Sequence, residues 1–164
     1  MRGPFIVKGS SGYFLLTAVA LAAAAPLALG ALGSPERSYV EHSFPPASTA
    51  PPFSDAVRSG DTLYVAGHIG IDPQTGNAAA DPRAEARLLM DAVQRTVERA
   101  GFAMDDFVSI TVYCTDLALY DTFNAVYGGY FHGPHPARAF IGVDKLVRGA
   151  HYELQGIALK RPRK

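Results

Sequence analysis

The first 34 residues restrict this chain more than any other feature, because they hold Arg2 and Lys8 and no acidic residue. From Tyr13 to Leu29 there is no charge, and an alanine-rich run extends through Pro26. Two small-x-small sites follow, Ala28-Leu29-Gly30 and Ala31-Leu32-Gly33. A positive start, an apolar middle and small residues at the end are the order of a secretory signal peptide. The apolar run is 17 residues, the short end of the roughly 17–25 that span a bilayer. The segment, residues 1–34, therefore reads as a cleaved signal or a retained membrane anchor. Both predict an exported domain, periplasmic or secreted, and only the second puts it at a membrane. Residues 35–52 contain Pro35, Pro45, Pro46, Pro51 and Pro52. Prolines remove backbone donors and disfavour helix before them, so a linker is expected there. The folding unit is then residues 53–160, with a basic tail at 161–164.

That division changes the meaning of the composition. The whole chain has 15 basic and 15 acidic residues. Beyond residue 34 all 15 acids remain against 13 bases, a formal charge of −2. A mildly acidic domain lacks the basic face that general nucleic-acid binding needs. One cysteine allows no internal disulfide and no multi-cysteine metal site.

Within the domain, Asp55–Arg58 and Thr62–Ala66 flank the turn Ser59-Gly60-Asp61 and predict a hairpin. Asp81 is a good N-cap and Pro82 suits the first helical position. Leu88, Leu89, Ala92, Val93, Thr96 and Val97 repeat at helical spacing up to the stop at Gly101. Phe107–Cys114 is rich in strand formers, with Val108, Ile110, Val112 and Cys114 sharing a face. Asp116 can cap a second helix carrying Phe123, Tyr127, Tyr130 and Phe131. Gly128 and Gly129 weaken that helix, and close approach of another backbone is one reason to place them there. Strands are expected over 137–143 and 150–159. The order ββαβαββ favours an α+β fold, one sheet with two helices on one face.

Few residues offer chemistry. His132 and His135 form HxxH among Gly133, Pro134 and Pro136, where no helix aligns them and no third ligand is near, so no metal site is expected. Cys114, on an apolar strand face, reads as a small buried hydrophobe. Arg138 and Glu153 stand out. Each sits in an apolar strand, where an isolated charge is costly to bury. A guanidinium fork suits a carboxylate bidentately. The two either pair with each other or form a ligand-binding arginine beside a catalytic carboxylate.

The order and spacing of several segments resemble the RidA/YjgF family of reactive intermediate deaminases. They are Pro52–Val57, Leu63–Gly76, Val112–Asp116, Phe123–Tyr127, Pro136–Phe140 and Tyr152–Ala158. The resemblance implies a chorismate-mutase-like fold and a homotrimer with a central barrel and a cleft at each subunit interface. It implies hydrolysis of small 2-imino acids or enamines to 2-keto acids and ammonia, with no metal or organic cofactor. Arg138 matches the family's substrate-carboxylate arginine and Glu153 its water-handling glutamate. Gly67 matches a glycine that lines the pocket. Asn124 matches an asparagine for which a structural role is as fitting.

Four positions depart from the pattern. Phe53 stands where the family often has Tyr and lacks its hydroxyl. Phe140 stands where a small residue or Cys is usual, and is expected to narrow the pocket or change its preferred side chain. His68 replaces a frequent Gln, and Ala66 a frequent Ser. The expected substrate-binding set is Arg138, Phe53, Gly67 and Phe140, with Arg138 and Glu153 catalytic. The alternative is a Rid-fold protein that binds small carboxylates without turnover. An endoribonuclease ranks third, since the domain is acidic and has no histidine-based acid–base motif.

Overall fold

The computed structural model describes residues 36–42 and 51–161. The predicted signal or anchor, residues 1–34, lies outside the described residues, as does all of the basic tail but Arg161. Among the described residues no helix is long and apolar enough to cross a membrane.

The chain runs β1 (Arg37–Val40), β2 (Ala56–Ser59), β3 (Thr62–Ile69), α1 (Pro82–Arg99), β4 (Phe107–Cys114), α2 (Tyr120–Tyr127), β5 (Ala137–Gly142) and β6 (Tyr152–Leu159). The six strands form one sheet in the order β1-β2-β3-β6-β4-β5. Only β4 and β5 are parallel. The expected β2–β3 hairpin is present, with Gly60 supplying the positive φ of its turn. The stretch read as linker holds a strand: β1 pairs along β2, from Arg37 opposite Ser59 to Val40 opposite Ala56. Its Arg-Ser-Tyr-Val sequence has no proline, and the prolines that suggested a linker flank it.

Asp81 caps α1 by accepting the Ala84 N–H at 2.9 Å, and Pro82 opens the helix. The buried face is Glu85, Ala86, Leu89, Met90, Val93, Thr96 and Val97. Relative to the expected stripe it is rotated toward Glu85 and Met90, leaving Leu88 and Ala92 half-buried. It packs on Leu63, Val65, Ile110, Val112, Tyr152 and Leu154 of the sheet, with Phe123 and Tyr127 of α2 completing the core. A bulge between Phe107 and Ser109 turns Phe107 inward and Val108 outward, so Val108 does not share the face of Ile110. Helix α2 stops at Tyr127, and Gly128–Tyr130 form a 3₁₀ turn. A Cβ on Gly128 or Gly129 would meet nothing among the described residues within 4 Å. No described backbone therefore approaches them, and they stand where α2 gives way to the 3₁₀ turn.

Close approach is instead found at Gly70, where a Cβ would strike the backbone carbonyl of Glu85. Backbone cannot yield as a side chain does, and overpacking of this kind costs about 1–3 kcal/mol. Gly70→Ala should lower the urea midpoint by an amount in that range or above it. A variant as stable as wild type would show that α1 can move away from β3.

Candidate active site

Strand pleating decides where the two candidate charges go. Arg138 is the Cα partner of Ile110, which is buried in the core. Directly paired residues point to the same face, so Arg138 faces the helices. Glu153 is the partner of Tyr113, which alternates with buried Val112 and Cys114. It faces the opposite side, which no described helix covers. Strand β4 lies between β5 and β6. The pairing considered for Arg138 and Glu153 is therefore not made: neither forms an ion pair with any described residue.

The surroundings of Arg138 come from α2. Its Nη2 donates to Asn124 Oδ1 at 2.7 Å and to the Tyr120 hydroxyl at 3.4 Å. Its guanidinium carbon lies 4.5 Å from the Tyr127 ring centroid and 5.7 Å from those of Tyr120 and Phe140. Cation–π contacts and a neutral amide hold the charge in place without cancelling it. No described residue takes its Nε or Nη1 donors. An open cavity of about 350 Å³ lies here, lined by Asn124, Tyr127, Gly128, His135, Pro136 and Arg138. Its exposed cationic fork can take an anion, above all a planar carboxylate.

Phe140 shares the face of Arg138. It packs edge-on against Tyr120 at 4.9 Å and against Phe123 at 5.6 Å. The cavity lining in one chain does not include it, and its ring lies against the Arg138 guanidinium. Tyr120, Asn124 and Tyr127 repeat at i, i+4, i+7 on α2. That spacing was readable, but without the parity of β5 nothing tied the two tyrosines to Arg138. The Tyr127 hydroxyl is buried without a hydrogen-bond partner, and burial pushes its pKa up to about 12 against the pull of Arg138.

Glu153 stands over the β3–β6 irregularity between Val65 and His68. A Cβ on Gly67 would collide with Glu153 Oε1, so the glycine makes room for the carboxylate. Burial raises the Glu153 pKa above its ordinary value, and no described group donates a hydrogen bond to the carboxylate. Phe53 is 56% exposed in the loop before β2. Its ring packs edge-on to His42 at 5.0 Å, and its carbonyl accepts from His42 Nε2 at 2.7 Å.

Of the other candidates only His135 reaches the Arg138 cavity, as one of its lining residues. His68 turns toward α1, meeting Thr96 Oγ1 at 3.0 Å, and burial lowers its pKa. Cys114 is buried, its thiol donating to the Asp116 carbonyl at 3.0 Å. His132 faces Asp105 at 3.9 Å while His135 lies beside the Tyr127 and Phe131 rings. Among the described residues no three potential metal ligands converge.

A mixed sheet with two helices on one face is a fold shared by known proteins. The endoribonuclease L-PSP family model matches residues 45–160. The RutC family protein of Sulfurisphaera tokodaii is 36% identical over 110 residues, 66% of this chain and 88% of that one. The 2-iminobutanoate/2-iminopropanoate deaminase of Escherichia coli is 34% identical over 113 residues, 67% of this chain and 88% of the relative. The crystal structure of Escherichia coli TdcF with bound serine superposes with a TM-score of 0.69. It is 30% identical, covering 76% of this chain and 99% of that one. The chain belongs to the endoribonuclease L-PSP family, the RidA/YjgF family, and has its α+β fold.

Two predictions follow from these side chains. An unpaired buried hydroxyl costs about 1–3 kcal/mol, so Tyr127→Phe should raise the urea midpoint; a fall would mean that the hydroxyl has a bound partner in solution. The second concerns Glu153, whose raised folded-state pKa means that its ionised form weakens the fold. That cost is absent below the unfolded carboxylate pKa and grows as pH rises through the folded value. Glu153→Gln should therefore be more stable than wild type at neutral pH. Melting temperatures taken down through the acid range should converge.

Proposed function

We propose that this chain is a hydrolytic deaminase converting small reactive 2-imino acids or enamines, such as 2-iminopropionate, to 2-keto acids and ammonia. The observation that carries the reading is the pair of uncompensated charges. An arginine fork opens on a cavity and a raised carboxyl stands over a glycine, and one chain puts them on opposite faces of its sheet. A substrate spanning both requires two copies. The exposed apolar side chains Tyr64, Ile157 and Ile141, on the face that no described helix covers, support self-association through that face. The assembly we propose is a homotrimer with its clefts between subunits. The named activity of the Escherichia coli relative and the amino acid bound by TdcF support a small α-carboxylate ligand.

In the proposed reaction Arg138 holds the substrate carboxylate and so aims C2 at a water beside Glu153. Water attacks C2 of the protonated imine, the C=N π electrons move to nitrogen, and Glu153 takes a proton from the water. Glu153 returns that proton to the amino group of the carbinolamine. The C–N bond then breaks, the hydroxyl oxygen closes the carbonyl, and its proton leaves with ammonia as ammonium. A carboxyl with a raised pKa suits a group that must both accept and return a proton. No step calls for a metal or organic cofactor. Phe53, with its exposed ring, is assigned to the substrate cleft of a neighbouring copy. Gly67 is assigned there for the space it leaves. The acid-free segment 1–34 supports an exported domain.

The test is release of keto acid from freshly generated 2-iminopropionate by the purified trimer. Glu153→Gln should lower kcat by about 10²–10⁴-fold, the usual range for a general acid–base group. Arg138→Ala should chiefly raise KM. A trimeric wild type that does not accelerate hydrolysis ends the deaminase reading for that substrate. The missing hydroxyl at Phe53 favours one second reading, a carboxylate-binding protein without turnover. Pyruvate would then raise the melting temperature of wild type but not of Arg138→Ala, with no hydrolysis by either.

A further inference from the structure

Glu85 is a charged side chain with no exposed surface, in the first turn of α1. Such burial is costly unless every lone pair is used. Its Oε1 accepts two consecutive backbone N–H groups, His151 at 2.8 Å and Tyr152 at 2.9 Å. Its Oε2 meets His151 Nδ1 at 2.5 Å, which the neutral ring can reach by donating. An apolar residue would fill the same space without the desolvation cost, so hydrophobic packing alone does not account for a glutamate. All three bonds end on the two residues immediately before Glu153, where β6 begins. Gly70 lets α1 come close enough, because a Cβ there would strike Glu85 itself.

We propose that Glu85 is the positioning residue for Glu153: it pins the peptides of His151 and Tyr152 and so sets where the Glu153 carboxyl stands over Gly67. The assignment rests on the reading of Glu153 as the water-handling group. Glu85 has no exposed surface from which to reach a substrate. It acts through the backbone, and its amide counterpart can do the same work. Gln at this position keeps one oxygen for the two N–H groups, and its NH₂ can donate to the other tautomer of His151. Asp keeps the charge but is one methylene too short to reach both N–H groups from the same helix.

The experiment compares Glu85→Gln, Glu85→Asp and Glu85→Ala in the full-length trimer. It measures imine hydrolysis, melting temperature and the carboxyl ¹³C titration of Glu153. Glu85→Gln should stay within about threefold of wild-type kcat. Asp and Ala should lose about 10- to 100-fold in kcat, the scale of a displacement of about 1 Å at a reacting group, with KM near wild type. Glu153 should titrate closer to an ordinary carboxyl in those two variants, because a loosened strand start admits water. Should Glu85→Ala fail to fold, Glu85→Asp decides. The proposal is overturned if folded Asp or Ala variants keep wild-type kcat and an unchanged Glu153 titration. It is equally overturned if their activity falls only in proportion to the fraction unfolded. A wild type without activity counts against the deaminase reading alone, and the Glu153 titration still decides whether Glu85 positions it.

Discussion

The pleat of β4 is the constraint on which the rest of this molecule depends. Ile110, Val112 and Cys114 go to the helices, while Thr111 and Tyr113 go to the other side. Strands β5 and β6 inherit that parity through their registers. Arg138 is thereby sent into the aromatic setting of α2, and Glu153 to the face that no described helix covers. A shift of one residue in either register would reverse one of them. The charges are kept apart by the same alternation that builds the core, so separating them needs no special device.

Isolation has an electrostatic side. An arginine next to a carboxylate would be neutralised before any ligand arrived. Here its near neighbours are an amide oxygen, a phenol and three rings, which leave its net charge available. Among the described residues no cation stands against Glu153 either, and burial is the cause of its raised pKa. Both groups stand in states that a salt bridge between them would have abolished.

Local signals were legible in the sequence, and relations between distant strands were not. The Asp81 cap, the Ser59–Asp61 turn and the stop at Gly101 depend on neighbours a few residues away, and each stands where the residues indicated. Arg138 and Glu153 were identifiable as charges within apolar strand sequences. Their relation was hidden, because β5 and β6 follow each other in the chain while β4 lies between them. β1 went unread because flanking prolines masked a four-residue strand whose pairing partner lies some twenty residues later. Glu85 was unreadable for another reason: a glutamate on a helix reads as solvent-facing unless the strand start that consumes its oxygens is known. Phe140 was rightly noted as large, but its direction is a matter of parity, which residue type does not report.

One consequence of the core has nothing to do with the pocket. The lone thiol, Cys114, is sealed at the end of β4, its hydrogen committed to the Asp116 carbonyl and its pKa raised by burial. Oxidation and disulfide exchange run through an accessible thiolate. This cysteine offers neither the access nor the thiolate. Within the folded domain this lone thiol is thus shielded from disulfide exchange and from oxidation to sulfenic acid.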